Sequence, residues 1–378
     1  MIFVAIALGF SLLYFLLQLR FLYYWNKTPV LSVPTDYFSA LGVTIIIVAH
    51  NEEKSIGRCL KGILAQKYPP PLMDIVVIDD HSTDATLDEI NKFGNPLIRV
   101  FSLKDFPAYI QGKAFKKSGI TLAVDKAKFE TIVVTDADCY VAEDWLSAVA
   151  YSFQQQKTVF QTAPVLHRES HSLLLKMQEM EQLILMLITG SGITSRQHAL
   201  ANGANMAFQK RAFFDVHGFD GNFEYASGDD MFLAEKMSIA FPDQLSFVKS
   251  LQASVFTEGK KNWSSLFRQR LRWAGKNKGL KNKSIQHLWL FIGAYHVAMI
   301  LALLGALFQI LPALPFIILL SVKWAGDYLL LATSAGFFRK TSLLKYFVPL
   351  QVMYGYYVIC LGVMMLMGKK GDWEGVRA

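Results

Sequence analysis

From Ile2 to Leu19 the chain is nearly unbroken hydrocarbon, about the length that crosses a bilayer core. No basic start and no small-residue cleavage site accompany it, so the run reads as a retained anchor and not a signal peptide. Arg20 and Lys27 follow it directly, which by the positive-inside tendency turns the next segment toward the cytoplasm. Three more apolar stretches close the chain, Leu288 to Ile310, Leu314 to Phe338 and Tyr346 to Met367. A basic connector of Arg339, Lys340 and Lys345 and a basic tail of Lys369, Lys370 and Arg377 punctuate them. Three full crossings cannot put both basic groups on one side. Either one stretch is re-entrant, as Pro312 and Pro315 allow, or the charge rule fails here.

Between these ends lie roughly 260 residues of ordinary globular composition, enough for one large domain. The net charge of +8 suits a protein on anionic lipid that handles anionic ligands. It would also suit nucleic acid, but no helix-turn-helix, zinc-finger or RNA-binding string is present, so no nucleic-acid partner is expected. Cys59, Cys139 and Cys360 are odd in number and lack metal-ligand spacing, which reads as reduced cytoplasmic thiols.

Val43 to Val48 is a β-branched run bounded by Gly42 and Ala49-His50-Asn51-Glu52-Glu53, the pattern of a strand buried on both faces. Asp74 to Ile78 and Phe129 to Val134 repeat that pattern, and Ile98 to Phe101 reads as a short strand. Helices are predicted between them, over Lys54 to Gln66, from Thr83-Asp84 onward, and over Lys113 to Asp125. Strand–helix alternation with short turns predicts a parallel sheet with right-handed crossovers, and polar strings follow the strands where open α/β sheets bind ligands. Beyond Trp145 the regularity fades. Leu173 to Ile188 is a Leu- and Met-rich helical run, too short and charged to span; it reads as core or a membrane-contacting face. Lys260 to Lys283 is basic with interleaved aromatic residues at helical spacing, a segment suited to lie flat on a bilayer.

Three strings carry chemistry. In Thr135-Asp136-Ala137-Asp138, two carboxylates one residue apart at a strand end can hold Mg²⁺ or Mn²⁺ against a diphosphate. Alone such a pair is a common turn; after a buried strand it is more. Gly228-Asp229-Asp230 offers a general base, or simply caps the helix Met231 to Ile239. In Gln269-Arg270-Leu271-Arg272-Trp273, Arg270 reads as lipid-facing charge, whereas the Arg272 guanidinium suits a diphosphate and the Trp273 indole a sugar ring. Glu52 reads as a solvated or capping acid. His167 and His171 read as a surface pair, and Asp327, inside an apolar stretch, requires a partner.

From about Val43 to Trp273 the chain resembles the family-2 glycosyltransferases of GT-A fold, in the membrane-bound branch that carries Q-x-x-R-W. The resemblance implies an α/β nucleotide-sugar-binding sheet with helices on both faces, plus N-terminal and C-terminal transmembrane helices. It implies that Ala49, His50, Asn51 and Glu53 line a nucleoside pocket, that Asp80 reads the base, and that Lys113 sits near the nucleotide. Asp136 and Asp138 match the family's D-x-D pair, Asp230 its general base beside Asp229, and Gln269, Arg272 and Trp273 its last motif. His50 stands where many relatives have Tyr.

The expected organisation is an anchor over 1–25, a cytoplasmic domain over 40–258, a basic interfacial helix over 259–286, a membrane region over 287–368 and a tail over 369–378. The expected activity is inverting transfer of a hexose-type sugar from a nucleoside diphosphate sugar, uridine or guanosine linked. The acceptor is expected to be a lipid, a glycolipid or another membrane-proximal group at the inner (plasma) membrane, with glycan-assembly proteins as further partners. A processive polysaccharide synthase and a non-catalytic nucleotide-sugar-binding subunit are the alternatives.

Overall fold

The computed structural model describes residues 1–112, 114–168, 172–276 and 279–369. Helix α1 (Ile2–Lys27) leads into β1 (Val43–Ala49), α2 (Ile56–Leu64), β2 (Met73–Asp79), α3 (Thr86–Asn91), β3 (Ile98–Ser102), α4 (Phe115–Lys126) and β4 (Thr131–Asp136). The chain continues through β5 (Tyr140–Val141), α5 (Trp145–Gln156), β6 (Phe160–Thr162), β7 (Val165–His167), α6 (Leu173–Thr194) and β8 (Met206–Gln209). After these come α7 (Lys210–Asp215), α8 (Asp229–Ala240), β9 (Leu245–Phe247), β10 (Val255–Thr257), α9 (Trp263–Lys276), α10 (Lys283–Leu307), α11 (Leu314–Phe337) and α12 (Phe347–Leu366).

The β-branched runs form one sheet of order β3-β2-β1-β4-β8-β6-β9, beside a small sheet β5-β10-β7. The predicted parallel pairing holds for β3, β2, β1 and β4, with Val43 opposite both Met73 and Thr131. It stops there: β8 runs antiparallel to β4 and to β6, because it returns to the sheet from the far side after the long α6 excursion. Alternate side chains of each strand feed two cores. Ile45, Ile47, Ile75 and Val77 pack with α2 and α5, while Ile46, Val76, Ile78 and Ile132 pack with α4, α7 and α8. Strand order reverses across β1, so the carboxyl ends of β1 and β4 flank the crevice where such sheets take ligands.

Among the described residues, four helices are long and apolar enough to cross a membrane: Ile2–Lys27, Lys283–Leu307, Leu314–Phe337 and Thr341–Leu366. The Leu- and Met-rich run is the bridge between them and the sheet. Helix α6 buries Met177, Met180, Leu183, Met186 and Leu187 in a core shared with α1, α11 and α12. Ser191 Oγ donates to the Phe21 carbonyl at 2.7 Å, Ser334 Oγ to the Leu183 carbonyl at 2.5 Å, and Lys340 pairs with Glu179 at 2.9 Å. At the end of α1, Lys249 Nζ donates to the Trp25 carbonyl at 2.7 Å and lies 4.1 Å from the Trp25 ring centroid. Asp327 has the partners its location demands. It accepts from Tyr14 Oη at 2.8 Å, Lys323 Nζ at 2.5 Å and Gln351 Nε2 at 3.1 Å.

Three expectations are corrected. Arg270 does not face lipid: it is 6% exposed and pairs with Glu181 of α6 at 2.5 Å, since α9 packs that face against α6 and α12. The interfacial helix is also shorter than 259–286, because α9 ends at Lys276 and Asn282 caps α10, accepting from the Ser284 and Ile285 amides. His167 is no surface histidine; its Nδ1 is shut from solvent on β7, while His171, Lys113 and tail residues 370–378 lie outside the described residues.

Candidate active site

The site grows from the ends of β1, β2 and β4. Leaving β1, Asn51 takes a left-handed φ of 55°, which swings its amide toward the loop after β2. There Asn51 Oδ1 accepts from the Thr83 N–H at 2.8 Å, and the His50 imidazole N–H donates to the Asp80 carbonyl at 2.6 Å. The Asp80 N–H donates back to the Ala49 carbonyl at 2.7 Å, and Glu53 Oε2 accepts from the Ala85 N–H at 3.2 Å. Ala49, His50, Asn51, Glu53 and Asp80 are therefore stitched into one wall. Exposed Glu53 orders the loop before α3, and His50 is pinned by its ring nitrogen.

Asp136 and Asp138 stand at the end of β4. Ligand atoms of Asp136, Asp138 and Cys139 lie within 4.8 Å of one another, a spacing that fits one divalent ion with two hard carboxylate donors. Cys139 belongs to this group although its sequence spacing gives no hint of it; its thiol donates to Asp138 Oδ1 at 3.5 Å. The Asp138 side chain reaches the surface while its carboxylate lies among protein atoms. Desolvation first, and the Asp136 charge second, push it above the usual carboxylate range. Glu52 is raised as well, by burial and then by Asp138 and Asp136 against the Ser55 hydroxyl bond that opposes the rise. It is no solvated acid but a half-buried neighbour of the pair.

Opposite stands the start of α8. Gly228, at φ 92°, turns the chain so that Asp229 and Asp230 open the helix, the end where negative charge is favoured. Asp230 Oδ2 accepts from the Gly203 N–H at 3.3 Å and Asp230 Oδ1 from the Met231 N–H at 2.7 Å. Asp229 faces Lys116, whose Nζ lies 3.0 Å from Asp229 Oδ2 and 2.7 Å from Asp136 Oδ1. Burial works against this ammonium, but the Asp136 and Asp229 carboxylates overcome it and raise its pKa.

Lys116 escapes a motif search, yet a signal exists. Lys116, Ile120 and Val124 are spaced by four on α4, and Ile120 and Val124 are fully buried, so the lysine must face inward and needs a carboxylate. Its neighbour Lys117 is buried too; Nζ donates to the Ser227 carbonyl at 2.9 Å and to the Tyr225 carbonyl, fixing the loop before Gly228.

The last string adds an arginine to the same group. Arg272 on α9 is held down in pKa by desolvation, against the opposing pull of Asp229, Asp136 and Asp230, so its guanidinium shares their field. The Trp273 ring lies against Arg270 instead, 4.1 Å from centroid to guanidinium carbon, and Gln269 Oε1 accepts from Arg270 Nη1 at 3.0 Å. One crevice thus collects two carboxylate pairs, a lysine and an arginine.

Comparison with known proteins accounts for this arrangement. The chain matches 4,4'-diaponeurosporenoate glycosyltransferase of Staphylococcus aureus strain MRSA252 at 32% identity over 134 residues, which is 35% of this chain and 33% of that protein. The enzyme of strain NCTC 8325 / PS 47 matches at 31% over the same length, so the alignment spans about a third of these curated relatives. Among solved structures, the mannosyltransferase PcManGT of Pyrobaculum calidifontis, in complex with GDP-Man and Mn²⁺, shares the fold. Its TM-score is 0.59 at 18% identity, over 97% of this chain and 98% of that one. Residues 44–216 match the model for glycosyl transferase family 2, and residues 131–365 that for glycosyl transferase family group 2. The second match takes in more than half of the chain, and the protein belongs to the family-2 glycosyltransferases of GT-A fold.

Proposed function

We propose that the protein is an inverting glycosyltransferase that moves a hexose-type sugar from a uridine or guanosine diphosphate sugar to a lipid-linked or membrane-proximal acceptor. The observation that carries the reading is the convergence of Asp136, Asp229 and Arg272 around Lys116 in one crevice. The wall from Ala49 to Glu53 with Asp80 receives the nucleoside. Asp138 and Asp136 would hold Mg²⁺ or Mn²⁺, which would supply positive charge for a diphosphate leaving group.

Asp230 takes the proton from the acceptor hydroxyl as that oxygen bonds to the anomeric carbon. The bond from that carbon to the β-phosphate oxygen breaks on the opposite side, and the nucleoside diphosphate leaves with the electron pair. A single displacement of this kind inverts the anomeric configuration. Lys116 bridges Asp136 and Asp229 and offsets their charge, and Arg272 meets the leaving phosphates. Trp273 offers an apolar face to the acceptor and Gln269 a polar edge.

Position relative to the membrane supports a membrane-bound acceptor. Lys27, Arg339, Lys340 and Lys345 all sit at the ends of spans that face the sheet domain, consistent with a cytoplasmic catalytic domain at the inner membrane. The chain's relative in Staphylococcus aureus is named for transfer to 4,4'-diaponeurosporenoate.

The test is turnover of a nucleotide-sugar panel by detergent-purified protein with Mg²⁺ or Mn²⁺, wild type beside Asp138→Ala and Asp230→Asn. Release of nucleoside diphosphate from one donor, lost in both variants, is the expected result. Turnover that survives both substitutions overturns the assignment.

A further inference from the structure

Arg270 takes no part in the chemistry above, yet it is enclosed at 6% exposure, an unusual place for a guanidinium. Three helices meet on it. Nη2 donates to Glu181 Oε2 on α6 at 2.5 Å, Nη1 donates to Gln269 Oε1 on its own helix at 3.0 Å, and the Tyr357 hydroxyl on α12 is a further hydrogen-bond partner. The guanidinium carbon also lies 4.1 Å from the centroid of the Trp273 ring. Only a planar fork can bond in its plane to a carboxylate and an amide while offering its face to an indole.

The contacts around it lock the same three helices. Phe267 of α9 stacks on Tyr357 at 5.8 Å between centroids, and Trp263 meets Tyr356 edge-on at 6.1 Å. Gln178 of α6 clamps the entry to α9 by accepting from the Lys260 N–H at 2.8 Å and donating to the Lys260 carbonyl at 2.9 Å. Helix α9 is therefore held at its start by α6, and on its next turns by Glu181 and α12.

Taking Trp273 and Gln269 as the acceptor-side wall, as the proposed function does, we propose that Arg270 is a positioning residue. It fixes the Trp273 indole and the Gln269 amide against α6 and α12, so that membrane-side helices set the geometry of the acceptor pocket. Glu181 is its counter-charge and Tyr357 its contact on the membrane side. Neither residue belongs to the Q-x-x-R-W string, and neither touches the D-x-D pair.

The test places 5-fluorotryptophan in the full chain in detergent micelles and follows fluorine resonances without added nucleotide. The Trp273 signal is assigned by its loss in Trp273→Phe. In Arg270→Lys and in the near-isosteric Glu181→Gln, the Trp273 resonance shifts or broadens while that of Trp145, buried in the sheet core, stays in place. In both variants transfer falls by about tenfold or more while affinity for Mn²⁺ with UDP or GDP changes less than about twofold. A Trp273 resonance unmoved in both variants overturns the positioning role. Wild-type protein that binds neither nucleotide overturns the donor reading instead, and leaves the resonance experiment to judge Arg270 on its own.

Discussion

Lys116 Nζ stands 2.7 Å from Asp136 Oδ1, a bond that joins a helix flanking the sheet to a carboxylate at a strand end. The same ammonium lies 3.0 Å from Asp229, so one cation ties the Asp136-Ala137-Asp138 string to the Gly228-Asp229-Asp230 string. Replacing it leaves the Asp136 and Asp229 carboxylates facing one another in a partly enclosed crevice without the cation between them. Lys116→Met is expected to lower donor turnover by roughly 10²-fold or more, the scale of losing one preorganised charge from an active site. Lys116→Arg keeps the charge but replaces a compact ammonium with a bulkier planar group, and an intermediate rate is expected. Initial rates of nucleoside diphosphate release at saturating metal check both, and a Lys116→Met rate within a few-fold of wild type would sink the idea.

Gly203 is a second point of close approach. A Cβ at this position would lie 2.7 Å from Asp229 Oδ2 and 3.1 Å from Lys116 Nζ, while the Gly203 N–H serves Asp230. Gly203→Ala must push the Asp229–Lys116 pair aside or move the backbone that Asp230 holds. A loss of about tenfold or more in turnover is expected, with little change in melting temperature, because the displaced groups line a crevice and not the core. Parallel rate and thermal-unfolding measurements separate the two effects.

The sheet half of this fold is readable because β-branched runs ending in polar strings leave little alternative to a buried parallel strand. The D-x-D and Gly-Asp-Asp strings are readable for the same reason: their strand or helix boundary is local. Lys116 is not readable that way, since its value comes from two carboxylates far along the chain, at Asp136 and Asp229. Arg270 misleads in the opposite sense. A basic helix next to membrane predicts surface charge, and only the tertiary partner Glu181 reveals burial. The reversal of β8 against β4 is likewise set by where α6 returns the chain, which no window of sequence contains.

Buried His198 and half-buried His167 give the protein an acid-sensitive range. Burial holds His198 down at about 4, with a bond to the Ile188 carbonyl opposing the drop, and burial with the nearby Arg270 charge holds His167 at about 4. Unfolded, each titrates near 6.5. Between about pH 6.5 and 4 the unfolded chain binds more protons than the folded one, so stability rises with pH across that window. The penalty is complete below about pH 4, on the order of 3 kcal/mol for each ring. Melting temperature in detergent is expected to fall from pH 7 to pH 5, and His198→Gln to flatten the slope. A flat wild-type profile would refute it.

Asp327 and Lys323 show what a charge inside an apolar helix requires. They are one turn apart on α11 at 2.5 Å, and Tyr14 of α1 and Gln351 of α12 complete the shell, so three membrane helices share one ion pair. Removing one partner strands the other among apolar side chains, whereas removing both relieves the desolvation that the pair already bears. Asp327→Ala is expected to destabilise by about 3–5 kcal/mol, and Lys323→Met with Asp327→Leu by far less. Tyr14→Phe removes one hydrogen bond to a charged group and should cost about 1.5–3 kcal/mol. Unfolding of the four proteins in the same detergent tests the order. If the double variant were as unstable as Asp327→Ala, the pair would stabilise by more than it costs to desolvate, and its burial would have to be counted as a direct source of stability.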